Sequence, residues 1–176
     1  MKRFLLAAGA VLVLGGCASA GTDGPELQGQ AVLKDKAGQQ VGLATFTEVS
    51  NGLGIEVTGI GLPPGPKGIH IHAVGKCDPP DFVSAGGHFN PAGKKHGRLS
   101  PDGAHAGDLP NLLVTPAGGA RFDVTTKAVT LKEGVPASLF GQGGASLVIH
   151  ALADDERTDP TGNSGGRIAC GVIARK

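Results

Sequence analysis

Apolar residues in this chain recur at every second position over short runs, and convincing helical periodicity is absent. Leu53-Gly54-Ile55-Glu56-Val57-Thr58 shows the pattern. Successive side chains of a strand point to opposite faces, so such a run buries one face and wets the other. Runs of this kind fall at 27–34, 41–48, 53–58, 69–74, 112–115, 120–125, 146–150 and 168–173. Thirty-one glycines and twelve prolines supply the turns between them. Residues 35–38 read as a turn, and Asn51-Gly52 favours a type I′ hairpin because both residues tolerate positive φ. Residues 61–68 read as a Pro/Gly-rich loop. Two longer stretches, 75–110 and 154–166, carry few periodic apolar residues, and loops that long usually have a function. Trp and Tyr are absent, so the core must come mainly from Val, Ile, Leu and Ala. The expected fold is all-β: an eight-stranded Greek-key sandwich or barrel with two long functional loops, in one domain over 27–176.

The first residues read as an export signal. Lys2 and Arg3 precede an unbroken run of apolar residues and glycine from Phe4 to Leu14. That run is shorter than the roughly 20 residues a membrane span needs, but it fits a secretory h-region. Leu14-Gly15-Gly16-Cys17 resembles a lipoprotein box, which makes 1–16 the removed signal and Cys17 a lipidated N-terminus. Ala18-Ser19-Ala20 offers an ordinary cleavage site as the alternative. Small and polar residues through 17–26 read as a flexible tether. Without 1–16, fourteen basic and fifteen acidic residues leave a net charge of −1, and no basic footprint for nucleic acid. With Cys17 lipidated, Cys77 and Cys170 remain as a pair, either a disulfide formed in an oxidising compartment or two buried thiols. A bond between them would close a loop of 93 residues, worth roughly 4–5 kcal/mol by chain entropy.

All six histidines fall on the later strands or in the long loops. His70 and His72 form an H-x-H pair, whose rings share one strand face with Cα atoms about 6.5–7 Å apart. Two imidazoles at that spacing can reach one metal, although alone the pair could equally be core or surface histidines. His88, His96 and His105 lie in the first long loop, with Asp108 three residues after His105. Nitrogen ligands with one carboxylate suit tetrahedral zinc. His150 closes a distant strand and, taken alone, reads as structural.

Read in order, the motifs become specific. Gly68-Ile69-His70-Ile71-His72 is followed by Cys77, Gly87-His88-Phe89-Asn90-Pro91 and Lys95-His96-Gly97. His105-Ala106-Gly107-Asp108-Leu109-Pro110-Asn111, Val148-Ile149-His150 and Asp154-Asp155 come next, and a segment from Gly162 to Ile173 ends the series. This order resembles the copper/zinc superoxide dismutase family over essentially the whole chain after the signal. The resemblance implies copper ligands at His70, His72, His88 and His150, and zinc ligands at His88, His96, His105 and Asp108. One copper and one zinc per subunit would share His88 as a bridging imidazolate. It further implies a carboxylate at Asp154 that holds His70 and His96, a Cys77–Cys170 disulfide, and Arg167 as the residue that attracts and orients superoxide.

The implied reaction converts superoxide to dioxygen and hydrogen peroxide by copper redox cycling, with Arg167 and His88 as the catalytic side chains. The implied setting is the bacterial periplasm or cell envelope, with membrane attachment only through Cys17. The second long loop is shorter than in family members outside bacteria, and resembles bacterial members. A non-catalytic envelope carrier of copper and zinc, or a binding module with structural metals, are the rival readings. Both a monomer and a homodimer fit the sequence.

Overall fold

A computed structural model describes residues 27–176 of the chain. The expected signal at 1–16, the lipidation site Cys17 and the tether at 17–26 lie outside the described residues. Ten strands are present: β1 Gln28–Asp35, β2 Gln40–Val49, β3 Gly52–Gly59, β4 Gly65–Lys67, β5 Ile69–His72, β6 Leu112–Val114, β7 Ala120–Thr126, β8 Ser146–His150, β9 Arg167–Val172 and β10 Ala174–Arg175. Every pairing between these strands is antiparallel, in the order β4-β6-β7-β3-β2-β1-β9-β8-β5, with β10 also on β1. Only Gly68 separates β4 from β5, and only Ile173 separates β9 from β10. Each of these pairs is one interrupted line of chain, so the ten segments trace the eight expected strands. The β4–β5 line joins both ends of the order and closes the sheet on itself. Among the described residues there is no α-helix, only a 3-10 turn at Val83–Ala85.

Two local expectations need correction. The β2–β3 hairpin forms, but its turn is Ser50-Asn51, with Val49 paired to Gly52. Neither turn residue has the positive φ that a type I′ turn requires. Gly52 alone adopts positive φ, at 144°, where a side chain would overlap the Thr126 carbonyl. The 61–68 loop contains β4, whose Pro66 and flanking glycines hide a short pairing with β6. The 35–38 turn is as expected, with the Asp35 carboxylate accepting from the N–H groups of Ala37 and Gln39.

Alternation explains both the core and the site. Leu33, Phe46, Leu53, Ile55, Ile69, Ile71, Leu147 and Ile149 project inward and are fully buried. Each such side chain stabilises the fold by about 1.5–3 kcal/mol relative to exposure. On β5 the intervening residues His70 and His72 are equally buried. They face outward, yet the segment between β5 and β6 folds back over them. That segment is hydrogen-bonded to β5: Ile71 N–H donates to Gly107 O (3.0 Å), and Phe89 N–H donates to Ile71 O (2.8 Å). Gly107 passes so close to Ile71 that a Cβ would strike its carbonyl, so glycine is required there. Val148, facing outward from β8, packs with Phe82, Ala85, Cys77 and Cys170 in a second small apolar cluster. This sector of the barrel is therefore buried on both faces, with the core beneath and the histidines above.

Candidate metal centre

The covering loop and the strands beneath it bring all six histidines together. The His88 ring lies 4.0 to 6.2 Å, centroid to centroid, from the rings of the other five. The potential ligand atoms form two groups, His70-His72-His88-His150 and His88-His96-His105-Asp108, each with those atoms within 4.8 Å of one another. His88 belongs to both.

In the second group, Asp108 Oδ1 lies 2.8 Å from His88 Nδ1, 3.1 Å from His96 Nδ1 and 3.2 Å from His105 Nδ1. The Nδ1 atoms of His105 and His88 are 3.4 Å apart. A tetrahedral ion with bonds of 2.0–2.1 Å would set its ligands about 3.3 Å apart, so these spacings suit one. Asp108 Oδ2 is engaged elsewhere, accepting from Gly97 N–H (2.9 Å) and His105 N–H (3.0 Å), which aims Oδ1 at the cluster.

The first group has three ligands on strands, His70 and His72 on β5 and His150 on β8. His72 Nδ1 donates to Gly86 O (2.9 Å) and His150 Nδ1 donates to Gly165 O (3.1 Å). Those bonds leave both Nε2 atoms as bare lone pairs, yet the two are only 3.4 Å apart. Two lone pairs repel at that distance unless a cation or proton lies between them. His70 Nδ1, His88 Nε2 and His96 Nδ1 are buried with no hydrogen-bond partner. For His96, the 3.1 Å approach to Asp108 lacks hydrogen-bond geometry, as expected of two atoms aimed at a shared third point. Such orphaned nitrogens are costly unless they ligate something, so the donor set fits two metal ions.

Asp154 joins the groups from outside. Its Oδ2 accepts from His70 Nε2 (2.7 Å) and its Oδ1 from His96 Nε2 (3.0 Å). Asn111 holds Asp154 in turn: Asp154 N–H donates to Asn111 Oδ1, and Asn111 Nδ2 donates to Asp154 O, both at 2.8 Å. Gly162, at φ 61°, packs directly against the Asp154–His96 hydrogen bond, where any Cβ would overlap the carboxylate. Asn111 and Gly162 stand in the sequence motifs, but no periodicity reveals what they touch.

Burial disfavours the imidazolium form at His70, His72, His105 and His150. It holds His70 down to about 4, His72 to about 2 and His150 to about 3, against an ordinary 6.5, and lowers His105 as well. These rings are neutral at pH 7, the form that ligates metal. Burial would raise the Asp108 carboxyl, but hydrogen bonds with His88 and the Gly97 N–H outweigh it and hold the group ionised. Asp154 is likewise lowered against its burial, by His70 and His96.

Arg167 is placed by a break in the strand register. Ile149 pairs with Ala169, but His150 pairs with Arg167, so Ile168 is an extra residue. Bulges of this kind re-aim the neighbouring side chain. Ile168 turns toward the core, and Arg167 comes opposite His150. Its guanidinium donates to Phe82 O (2.5 Å) and Gly86 O (2.6 Å). Gly86 O thus links Arg167 to His72. The Cys77–Cys170 disulfide, with Cα atoms 5.6 Å apart, fastens the loop that carries both carbonyls onto β9.

The six histidines, Asp108, Asp154, Arg167 and the Cys77–Cys170 pair therefore lie in or against one centre. The family model for copper/zinc superoxide dismutase (SODC) matches residues 40–173. The chain is 48% identical to "Superoxide dismutase [Cu-Zn] 1" of Aquifex aeolicus, over 84% of this chain and 88% of that one. It is 41% identical to "Superoxide dismutase [Cu-Zn]" of Caulobacter vibrioides, over 81% and 83%. Among solved structures, a double mutant of a SOD-like protein from Bacillus subtilis superimposes with a TM-score of 0.79 at 42% identity, covering 81% of this chain and 95% of that one. Fold, donor set and sequence agree, and the chain belongs to the copper/zinc superoxide dismutase family.

Proposed function

We propose that this protein is a superoxide dismutase holding one copper and one zinc per chain. Copper is held by His70, His72, His88 and His150, and zinc by His88, His96, His105 and Asp108. The observation that carries this reading is His88, whose Nδ1 faces the carboxylate group while its buried Nε2 faces the all-histidine group without a partner. Copper, when bound, supplies the one-electron exchange that turns two superoxide ions and two protons into dioxygen and hydrogen peroxide.

The chain's own residues do the rest. Arg167 is a permanent cation beside His72 and His150, and attracts and orients the superoxide anion. Its donors to Phe82 O and Gly86 O fix the guanidinium plane, so orientation costs little entropy at the moment of binding. His88 Nε2, buried without a partner, would take a proton and return it to the reduced substrate. Gly86 O and Gly165 O lock the His72 and His150 rings in one tautomer. Asp154 couples the two groups by holding a ring from each.

Export to the bacterial periplasm or cell envelope follows from the basic-apolar leader and agrees with the disulfide. Lipid attachment at Cys17 would hold the enzyme to a membrane through the tether, and Cys17→Ala should then release a soluble envelope protein. The catalytic reading is tested by superoxide removal per bound copper, measured alongside the metal-free protein and the Arg167→Ala variant. Activity that requires copper and falls roughly tenfold or more in the variant supports it. Full occupancy of both metals without turnover would replace it with the carrier reading.

A further inference from the structure

Second partners hold almost every ligand ring of the two groups. His70 and His96 donate to Asp154, His72 to Gly86 O, and His150 to Gly165 O, while His88 faces a group with each nitrogen. His105 differs. Its Nδ1 faces Asp108, but its Nε2 has only Asp159 Oδ1 at 3.9 Å, too far for a hydrogen bond. Its side chain is 8% exposed, against 0–1% for His70, His88, His96 and Asp108. On its outer side lies a cleft of about 650 Å³ whose lining includes His105, Asp108, Lys94, Arg98, Ala128 and Ala137.

We propose that zinc enters and leaves its group through this cleft, with His105 the last ligand to bind and the first to release. The inference rests on the assignment of zinc to His88, His96, His105 and Asp108. A ring without an outer partner is freer to rotate off the metal, and outer partners are worth roughly 10–100-fold in metal affinity. On the opposite side the rings of the first group stand in the way, and Asp154 backs His96. Arg98 is paired with Glu156 (2.9 Å) and Lys95 with Asp159 (3.2 Å), so Lys94 gives the cleft a positive wall. That charge favours exchange with zinc carried or extracted by anionic ligands.

The test follows zinc release from the copper- and zinc-loaded protein into a polyaminocarboxylate chelator. Ala128→Phe and Ala137→Phe each narrow the cleft without touching a ligand. Either variant that holds one zinc per chain is expected to release it roughly tenfold more slowly than the native chain, a barrier increase of about 1.4 kcal/mol. Unchanged release rates in both variants, with zinc content intact, would overturn the route. If the native chain bound no zinc, or Asp108→Ala bound as much as the native chain, the zinc assignment itself would fail instead.

Discussion

The two proposed metal groups share His88 but rest on different kinds of structure. The copper group takes His70, His72 and His150 from strands β5 and β8, whose register is fixed by the barrel. The zinc group takes all four ligands from the single connection between β5 and β6. Strand ligands are aligned by backbone pairing made for other reasons. Loop ligands must be held by side chains and by the segment's own hydrogen bonds to β5. Asp108 does this from within, using one oxygen to hold two backbone N–H groups, and Asp154 does it from outside. Each group is therefore vulnerable in its own place: the copper group through the fastening of the loop over it, the zinc group through the carboxylates.

The largest expected effect comes from cutting that fastening. The double change Cys77→Ser and Cys170→Ser frees the loop that carries the Phe82 and Gly86 carbonyls. It should cost about 2–5 kcal/mol of unfolding free energy, read by chemical denaturation. Copper turnover should fall more than zinc content, because Arg167 and His72 both rely on Gly86 O. Equal losses on both sides would mean that the fastening supports the two groups alike.

Asp154→Ala removes the carboxylate that holds a ring from each group. Metal affinity should fall roughly 10–100-fold, read by competition titration with chelators. The zinc side should suffer more, since His96 sits in a loop whereas His70 is still aligned by β5. A greater loss of copper than of zinc would reverse the contrast between strand and loop ligands.

Asn111→Ala should produce the smallest change. It deletes two hydrogen bonds to the Asp154 backbone while leaving every ligand and Asp154 itself in place. A loss of about 1–2 kcal/mol in stability is expected, with a modest fall in zinc affinity and little change in copper affinity. No change in either would mean that Asp154 is held without Asn111.

Much of this architecture is legible in the sequence. The eight strands announce themselves through alternation, as in Leu53, Ile55 and Val57, and through the glycine-rich punctuation between runs. The i and i+2 placement of His70 and His72 puts both rings on one face by strand geometry alone. What stays hidden is tertiary. The short β4 lies in a Pro/Gly stretch that looks like a loop, because pairing with β6 rather than local preference makes it a strand. The extra residue Ile168 cannot be seen in β9 alone, since a bulge exists only against its partner β8. Asn111 and Asp154 are separated by 43 residues, and their mutual hydrogen bonds follow from how two loops meet.

Everything proposed for the centre depends on one imidazole, His88, separating two different metals. Crystals of the protein loaded with copper and zinc, measured by anomalous diffraction at both absorption edges, decide this. Copper is expected beside His88 Nε2 within reach of His70, His72 and His150, and zinc beside His88 Nδ1 within reach of His96, His105 and Asp108. A single ion, or two ions that do not share His88, would contradict it.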